Sequence, residues 1–160
     1  MLLALDIGNT QTVVGLYDLA PVEPNVERRL ADTSLVDHWR IATNVERTAD
    51  EHALVLQEFL GFHGYTWDDN DIEGIALCSS VPRVTGSLRR MSERYFGLAA
   101  LVVEPGVKTG LPILYDNPKE VGADRIADAV AAFDLFGGPT IVVDFGTATT
   151  FEAVSAKGEY

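Results

Sequence analysis

Apolar runs and turn residues divide the first part of the chain into short strands. Leu2 to Leu5 is an unbroken apolar run, and Thr12 to Tyr17 is rich in β-forming residues. The Gly8-Asn9 turn signal between them predicts a β-hairpin. Residues 18 to 37 are polar and show no sustained period, so we expect a loop that leads to a strand at His38 to Thr43.

The middle of the chain alternates between helical and strand patterns. Thr48 and Glu51 have the spacing of a capping box, and the apolar positions after them predict a helix. A strand at Gly74 to Cys78, a helix that begins near Pro82 and a strand at Ala100 to Val103 follow. The order β-β-β-α-β-α-β indicates an α/β domain.

A further helix is indicated in the second half of the chain. Asn117 suits the N-cap, Pro118 the first helical position and Glu120 the third. We expect this helix to run to about Phe136, because Gly and Pro residues follow it. Asp124 would lie about two turns from its start and face away from the apolar side chains.

The two ends of the chain carry the same local pattern. Leu5 to Val13 matches Val143 to Phe151 position by position, so that Asp6 corresponds to Asp144. Each copy has an apolar strand, Asp, an apolar residue, Gly, a polar turn and a β-rich returning segment. We therefore expect a second hairpin, with strands at Thr140 to Val143 and from near Thr149.

The repeat also predicts the domain organisation. Two copies separated by most of the chain indicate two related domains rather than a short solenoid repeat. We place the first domain at residues 1–116 and the beginning of a second, similar domain at residues 117–160. The second domain would be incomplete, since it offers only an opening helix and a hairpin.

A turn of this kind suits phosphate groups. Glycine lets the backbone approach a ligand, and consecutive amides with hydroxyl and amide side chains donate hydrogen bonds to phosphate oxygens. Asp6, at the strand end, could hold hydrated Mg²⁺ against those oxygens. For either copy alone, an ordinary hairpin with a turn-favouring Asp is the alternative. The occurrence of two copies in matched register favours a pair of turns that clamp a triphosphate.

Charge and cysteine content narrow the classes of function. The chain has 12 Lys and Arg against 24 Asp and Glu, and this net charge of -12 disfavours a nucleic-acid-binding protein. Cys78 is the single cysteine, so an intrachain disulfide is impossible and a reducing cytoplasm is expected. The opening segment MLLALDIGNT resembles neither a signal peptide nor a membrane span, so we expect a soluble protein with no membrane partner.

These motifs resemble a known family. The two turns are similar to the phosphate-binding motifs of the acetate and sugar kinase, heat-shock ATPase and actin superfamily, and no Walker motif is present. Over nearly the whole chain, the segments L-D-I-G-N-T, E-P-G-V-K-T-G-L-P-I-L-Y-D-N-P-K-E-V-G-A-D-R-I-A-D-A and V-V-D-F-G-T-A-T-T-F resemble type III pantothenate kinases. The resemblance implies a ribonuclease H-like (actin-like ATPase) α/β fold, with a mixed sheet flanked by helices and a duplicated domain whose second copy is incomplete.

The resemblance also implies a reaction and its residues. The reaction is ATP-dependent phosphorylation of pantothenate to 4'-phosphopantothenate, the first step of coenzyme A biosynthesis, by a cytoplasmic enzyme that is a homodimer at full length. Asp124 is implied as the catalytic base. The implied pantothenate contacts are Tyr115, Gly122, Ala123, Asp124 and Arg125.

For the nucleotide and the metals, the resemblance implies ATP with Mg²⁺ and a monovalent cation, K⁺ or ammonium. Asp144 corresponds to the monovalent-cation ligand, and Asp6 would bind Mg²⁺ through water. Asp128 departs from the family, which often has Asn there, and adds a negative charge one helical turn after Asp124. The implied ATP contacts are Asp6, Ile7, Gly8, Asn9, Thr10, Gln11, Thr12, Val13 and Thr147.

Three alternatives stay open from the sequence. The chain could be a kinase-like regulator that binds a ligand or a partner without turnover, although its three acids Asp6, Asp124 and Asp144 argue for chemistry. It could be a kinase of the same fold for another small alcohol. It could also be an inactive piece of the kinase.

Overall fold

The structure is a computed structural model that describes residues 1–18, 34–66, 71–146 and 148–160. The described residues form two compact units. The first contains residues 1–18 and Ser34–Val102, and the second contains residues 103–160.

The first unit is built on a five-stranded mixed sheet. Its strands are β1 (Leu2–Ile7), β2 (Gln11–Asp18), β3 (Ser34–Ala42), β4 (Gly74–Ser79) and β5 (Leu101–Val103), and their order in the sheet is β3-β2-β1-β4-β5. Strand β2 is antiparallel to β1 and β3, whereas β1 and β4 are parallel. This arrangement confirms the expected α/β class, a ribonuclease H-like mixed sheet with helices, and the predicted order of elements. The helices of this unit are α1 (Ala49–Gly61) and α2 (Pro82–Met91), with a π-helical turn at Ser92–Phe96.

Both helices of this unit begin where the sequence predicts. The Glu51 amide donates to Thr48 Oγ1 at 3.3 Å, and the Thr48 amide donates to Glu51 Oε2 at 2.7 Å, which completes the capping box. Pro82 occupies the first turn of α2, where a missing amide hydrogen costs nothing. The helices cover a core that includes Leu3, Leu5, Ile7, Val14, Leu16, Leu56, Leu60, Leu77, Val84, Leu88 and Met91.

Strand β3 begins earlier than the sequence predicts. Ser34 to Asp37, expected in a loop, pair with the far end of β2, and the register shifts between Leu16 and Tyr17. The pattern of apolar and polar residues does not indicate this part of the strand. The reason is that β3 lies at the sheet edge, where Leu35 and Val36 are exposed and no apolar alternation is required. The rest of the predicted loop, residues 19–33, lies outside the described residues.

The second unit is smaller. It contains a 3₁₀ turn at Pro118–Glu120, helix α3 (Ala123–Phe136) and the hairpin of β6 (Thr140–Phe145) and β7 (Thr149–Val154). Helix α3 packs on both strands. Its core consists of Leu111, Ala129 and Val154, with Val130, Phe133 and Tyr160 packed against them.

The prediction of one helix from Asn117 to Phe136 is wrong. The Asn117 side chain does cap, since Oδ1 accepts from the Lys119 amide at 3.3 Å, but the turn ends at Val121, which is extended with ψ of 119°. The Val121 side chain is buried, so its packing offsets the break in the helix. Helix α3 starts afresh after Gly122, and Asp124 therefore lies in its first turn rather than two turns in.

Candidate active site

The first predicted Asp lies at the carboxyl end of β1. Asp6 is exposed and pairs with Val13 of β2 and, on the parallel side, with Cys78 of β4. The four residues from Gly8 to Gln11, which we name the phosphate turn, lie between Ile7 and Thr12, the last residues that pair between β1 and β2. The Gly8 amide closes this turn by donating to the Gln11 carbonyl at 3.0 Å. The carboxyl ends of parallel strands are where open α/β sheets bind ligands.

Two residues that the sequence reasoning missed hold the phosphate turn in place. Thr43, just after β3, donates from its amide to the Thr10 carbonyl at 3.0 Å and from Oγ1 to the Gly8 carbonyl at 2.7 Å. Ser80, just after β4, donates from its amide to the Ile7 carbonyl at 3.1 Å. Both are hydroxyl residues that directly follow a strand, which was the available signal.

The predicted nucleotide residues divide by exposure. Asn9, Thr10 and Gln11 present exposed polar side chains, whereas Ile7 and Thr12 are buried beneath them. Thr12 Oγ1 lies 2.9 Å from Thr43 Oγ1, so this hydroxyl supports the turn from inside. Gly8 and Val13 are half-buried, and Thr147 lies outside the described residues.

The second hairpin has a similar but shorter turn. The Gly146 amide donates to the Ala148 carbonyl at 3.1 Å, and Asp144 pairs with Thr150. Three residues separate the last paired positions, Phe145 and Thr149, whereas four separate the corresponding pair in the first hairpin. Asp144 is exposed, as Asp6 is. The match in sequence thus extends to the hairpin and its acid, but the return strand is offset by one residue.

The predicted base, Asp124, lies at the start of α3 with its side chain exposed. Its Oδ1 accepts a hydrogen bond from the Arg125 amide at 2.8 Å, which fixes one carboxylate oxygen. A Cβ on Gly122 would collide with that oxygen. Glycine at position 122 is therefore what leaves room for the observed orientation of the Asp124 carboxylate.

Two predicted substrate residues gather around Tyr160, which the sequence reasoning also missed. The backbone of Tyr160 pairs with the segment before Tyr115: its amide donates to the Pro112 carbonyl at 2.9 Å, and its carbonyl accepts from the Leu114 amide at 2.8 Å. Burial raises the pKa of the Tyr160 phenol, while the Arg125 guanidinium opposes that shift through its charge and hydrogen bonding. A charge interaction with Tyr115 also raises the pKa of the Tyr160 phenol.

Ala123 is buried in the first turn of α3 and anchors it, whereas Tyr115 is half-exposed. We name Tyr115, Gly122, Ala123, Asp124 and Arg125 the acceptor cluster. All five belong to the second unit, together with Asp144, and the phosphate turn belongs to the first.

A groove of about 960 Å³ in the first unit contains none of these residues. It lies between the start of α1 and α2. Two of its arginines, Arg83 and Arg94, form ion pairs with Glu46 and Asp50 at 2.9 Å. The side chains of both ion pairs are exposed, so the pairs contribute little to stability.

Two further kinds of site, a metal cluster and a membrane-spanning helix, can be assessed in the part of the chain that the structure describes. There, no group of three or more His, Cys, Asp or Glu side chains is arranged to hold a metal ion. Nor does any helix of the described ranges have the length and apolar character needed to cross a bilayer.

The fold and the two acidic hairpins define the class: a mixed α/β protein of the ribonuclease H-like type. The family model for type III pantothenate kinase matches residues 2–160. Similar proteins include the type III pantothenate kinases of Streptomyces avermitilis, 55% identical, and Thermobifida fusca, 51% identical, each matched over 100% of this chain and 57% of its own length. The chain belongs to the type III pantothenate kinase family, and it spans about 57% of the length of these relatives.

Among solved structures, the chain is similar to the Aquifex aeolicus Ppx/GppA phosphatase. The TM-score is 0.48 at 15% sequence identity, over 98% of this chain and 48% of that one. This likeness carries no functional argument.

Proposed function

We propose that the protein, at the length of its relatives, transfers the terminal phosphate of ATP to the primary hydroxyl of pantothenate. The observation that carries the proposal is the exposed Asp124 carboxylate at the start of α3, within the Gly-Ala-Asp-Arg motif of a chain that belongs to the kinase family. Asp124 Oδ2 would accept the hydroxyl proton, since Oδ1 is engaged by the Arg125 amide.

Positioning supplies much of the remaining catalysis. Phosphoryl transfer passes through a loose transition state, so the alignment of the attacking hydroxyl and the neutralisation of charge count for more than the strength of the base. Tyr115 and Arg125 are exposed enough to contact the acceptor and carry groups that bind its polar ends. The acceptor cluster therefore orients pantothenate, and Asp124 removes its proton.

The phosphate turn would hold the triphosphate. Asn9, Thr10 and Gln11 offer exposed donors next to the glycine that allows close approach. Thr43 and Ser80 keep this turn fixed while the ligand binds. Val13 and Thr147 are further proposed nucleotide contacts.

The acids fit a role beside cations. Asp6 and Asp144 are both exposed at hairpin ends, and single carboxylates suffice for Mg²⁺, which is held mainly by phosphates and water. We assign Mg²⁺ to Asp6 through water and K⁺ or ammonium to Asp144. When bound, these cations neutralise phosphate charge that the two carboxylates would otherwise repel.

Organisation and partners complete the proposal. We place the first domain at 1–116 and the start of the second at 117–160, and we propose a cytoplasmic homodimer at full length. The net charge of -12 supports a protein without nucleic-acid partners.

Three substitutions in the full-length protein test the proposed roles. Asp124→Asn preserves size but cannot take up the proton, so turnover should fall on the order of 10²–10⁴-fold with ATP and pantothenate binding nearly intact. Asp6→Asn and Asp144→Asn should weaken nucleotide binding or the response to K⁺ as well. Steady-state kinetics with K⁺ or Na⁺, beside calorimetric binding, separate these outcomes.

Wild-type turnover in Asp124→Asn would show that Asp124 is not the catalytic base. Equal rates in K⁺ and Na⁺ would count against the role of Asp144. Tight ATP binding with no transfer to any alcohol in the unmodified protein would favour the non-catalytic regulator instead.

A further inference from the structure

Glu152 is an exception to the pattern of its own strand. It lies on β7 opposite Val142 of β6, its side chain is 0% exposed, and Val154 on the same face belongs to the core. Neither carboxylate oxygen has a hydrogen-bond partner among the described residues. An ionised carboxylate that is removed from water without hydrogen bonds is strongly unfavourable, so this position requires an explanation.

The internal repeat supplies a reference for this position. In the strand register, Glu152 pairs with Val142 as Gly15 pairs with Ala4, and Val142 corresponds to Ala4 in the repeat. The first hairpin therefore has the buried Gly15 at this point. That hairpin forms without a carboxylate there, so a buried acid is not a general requirement of this kind of hairpin.

One charged group lies close to the buried carboxylate. Arg125 Nε is 3.7 Å from Glu152 Oε1, and the Arg125 side chain is 41% exposed. The distance is longer than that of an N–H···O hydrogen bond, so the contact is an attraction between charges. Arg125 thus lies between an enclosed carboxylate and solvent, directly after Asp124 in the chain.

We propose that Glu152 is a positioning residue that orients the Arg125 guanidinium toward the acceptor substrate. The inference rests on the proposed function, in which Arg125 contacts pantothenate. The guanidinium is planar and its donors are fixed in one fork. With the Nε side attracted to Glu152, the Nη groups remain as donors for a carboxylate or other hydrogen-bond acceptor of the substrate. Tyr160, which also interacts with Arg125, limits its remaining freedom.

Two substitutions of Glu152 in the full-length protein separate this role from a structural one. Glu152→Gln removes the charge, and Glu152→Met replaces the carboxylate by an apolar chain of similar volume. Each should raise the KM for pantothenate roughly 10-fold or more, the loss typical of one charged interaction, with the KM for ATP unchanged. Glu58→Gln, the same change on an exposed carboxylate of α1, is the control and should alter neither.

Stability provides the second readout. Because Arg125 is partly exposed, water can solvate it once the carboxylate is gone, so Glu152→Met should keep or raise the melting temperature. An unchanged pantothenate KM in both variants would overturn the proposal. A large loss of melting temperature in Glu152→Met would assign the carboxylate to folding and would overturn it as well.

A double-mutant cycle separates failure of this inference from failure of the proposed function. If Glu152 acts through Arg125, Glu152→Gln should add nothing to the pantothenate KM of Arg125→Ala. Additive effects would overturn the positioning role while leaving Arg125 as a substrate contact. If Arg125→Ala itself leaves the pantothenate KM unchanged, the proposed contact is wrong.

Arg125→Lys, a substitution of a partly exposed residue, tests the proposed orientation of the guanidinium independently. Lysine keeps the charge but lacks Nε and the fixed fork, so the pantothenate KM should rise as in Glu152→Gln. A wild-type KM in this variant would contradict the proposed orientation.

Discussion

The space at Gly122 determines where the Asp124 carboxylate can lie. Backbone conformation does not require glycine there, since φ is -62°, but an added Cβ would displace Asp124 Oδ1. We expect Gly122→Ala to lower kcat for pantothenate phosphorylation roughly 10–100-fold, because misplaced catalytic groups are this costly. The free energy of unfolding should fall by only about 1 kcal/mol, the usual effect of alanine at an N-cap.

Steady-state kinetics and urea denaturation of the full-length protein check this expectation. Gly61→Ala is the matched control, because a Cβ at position 61 meets no atom within 4 Å. An unaltered kcat in Gly122→Ala would mean that the orientation of Asp124 does not matter for the reaction.

His52 gives the protein a predictable response to acid. Its pKa is lowered from an ordinary value of 6.5 to about 4, mainly by burial and also by the charge of nearby Arg47, while Glu51 opposes the shift. Below pH 6.5 the unfolded chain therefore binds more protons than the folded one. The free energy of unfolding should decrease as the pH falls from about 6.5 to about 4, by up to about 3 kcal/mol.

Denaturation at several pH values, with His52→Leu beside the wild type, isolates this contribution. The variant should lose the part of the pH dependence that arises from His52, whereas His38→Gln, at an exposed position, should retain it. Identical pH profiles for wild type and His52→Leu would show that His52 is protonated equally in both states.

Single residues also show what sequence could reveal of the site. Asp124 was identified from its motif, and its exposed position agrees with the apolar face formed by Ile126 and Ala129. Glu152 could not be identified from the sequence. Its burial results from the pairing of β6 with β7 and their packing against α3, which no local sequence pattern indicates.

At the scale of elements, the start of α1 offers a direct test of the capping box. Thr48→Ala removes the acceptor of the Glu51 amide and should lower the free energy of unfolding by about 1 kcal/mol. Thr48→Ser retains the hydroxyl and should remain near wild type. Urea denaturation of both variants decides the matter, and equal stability of Thr48→Ala and wild type would contradict the contribution of the cap.

Elements whose signals are local were predictable, and elements shaped by packing were not. The cap of α1 and the first hairpin follow from residues near one another in sequence. The break at Val121 depends on burial of its side chain in the folded unit, so the cap at Asn117 alone could not reveal it. The early start of β3 likewise depends on its partner, β2.

At the scale of the whole molecule, the two hairpins differ in what covers them. Leu5 and Ile7 of β1 are buried in the core of the first unit, whereas their counterparts Val143 and Phe145 are 40% and 82% exposed. The chain spans about 57% of the length of its relatives. Activity therefore has to be measured on a protein of the relatives' length.

The most direct test is phosphate transfer from γ-labelled ATP by the full-length protein, with Mg²⁺ and K⁺ present. Pantothenate is offered beside a panel of sugars, and the labelled products are separated. We expect label in 4'-phosphopantothenate, with transfer to sugars at background, and we expect Asp124→Asn to abolish most of the signal. Label transferred to a sugar but not to pantothenate would disprove the proposed reaction, as would ATP binding without transfer to any acceptor.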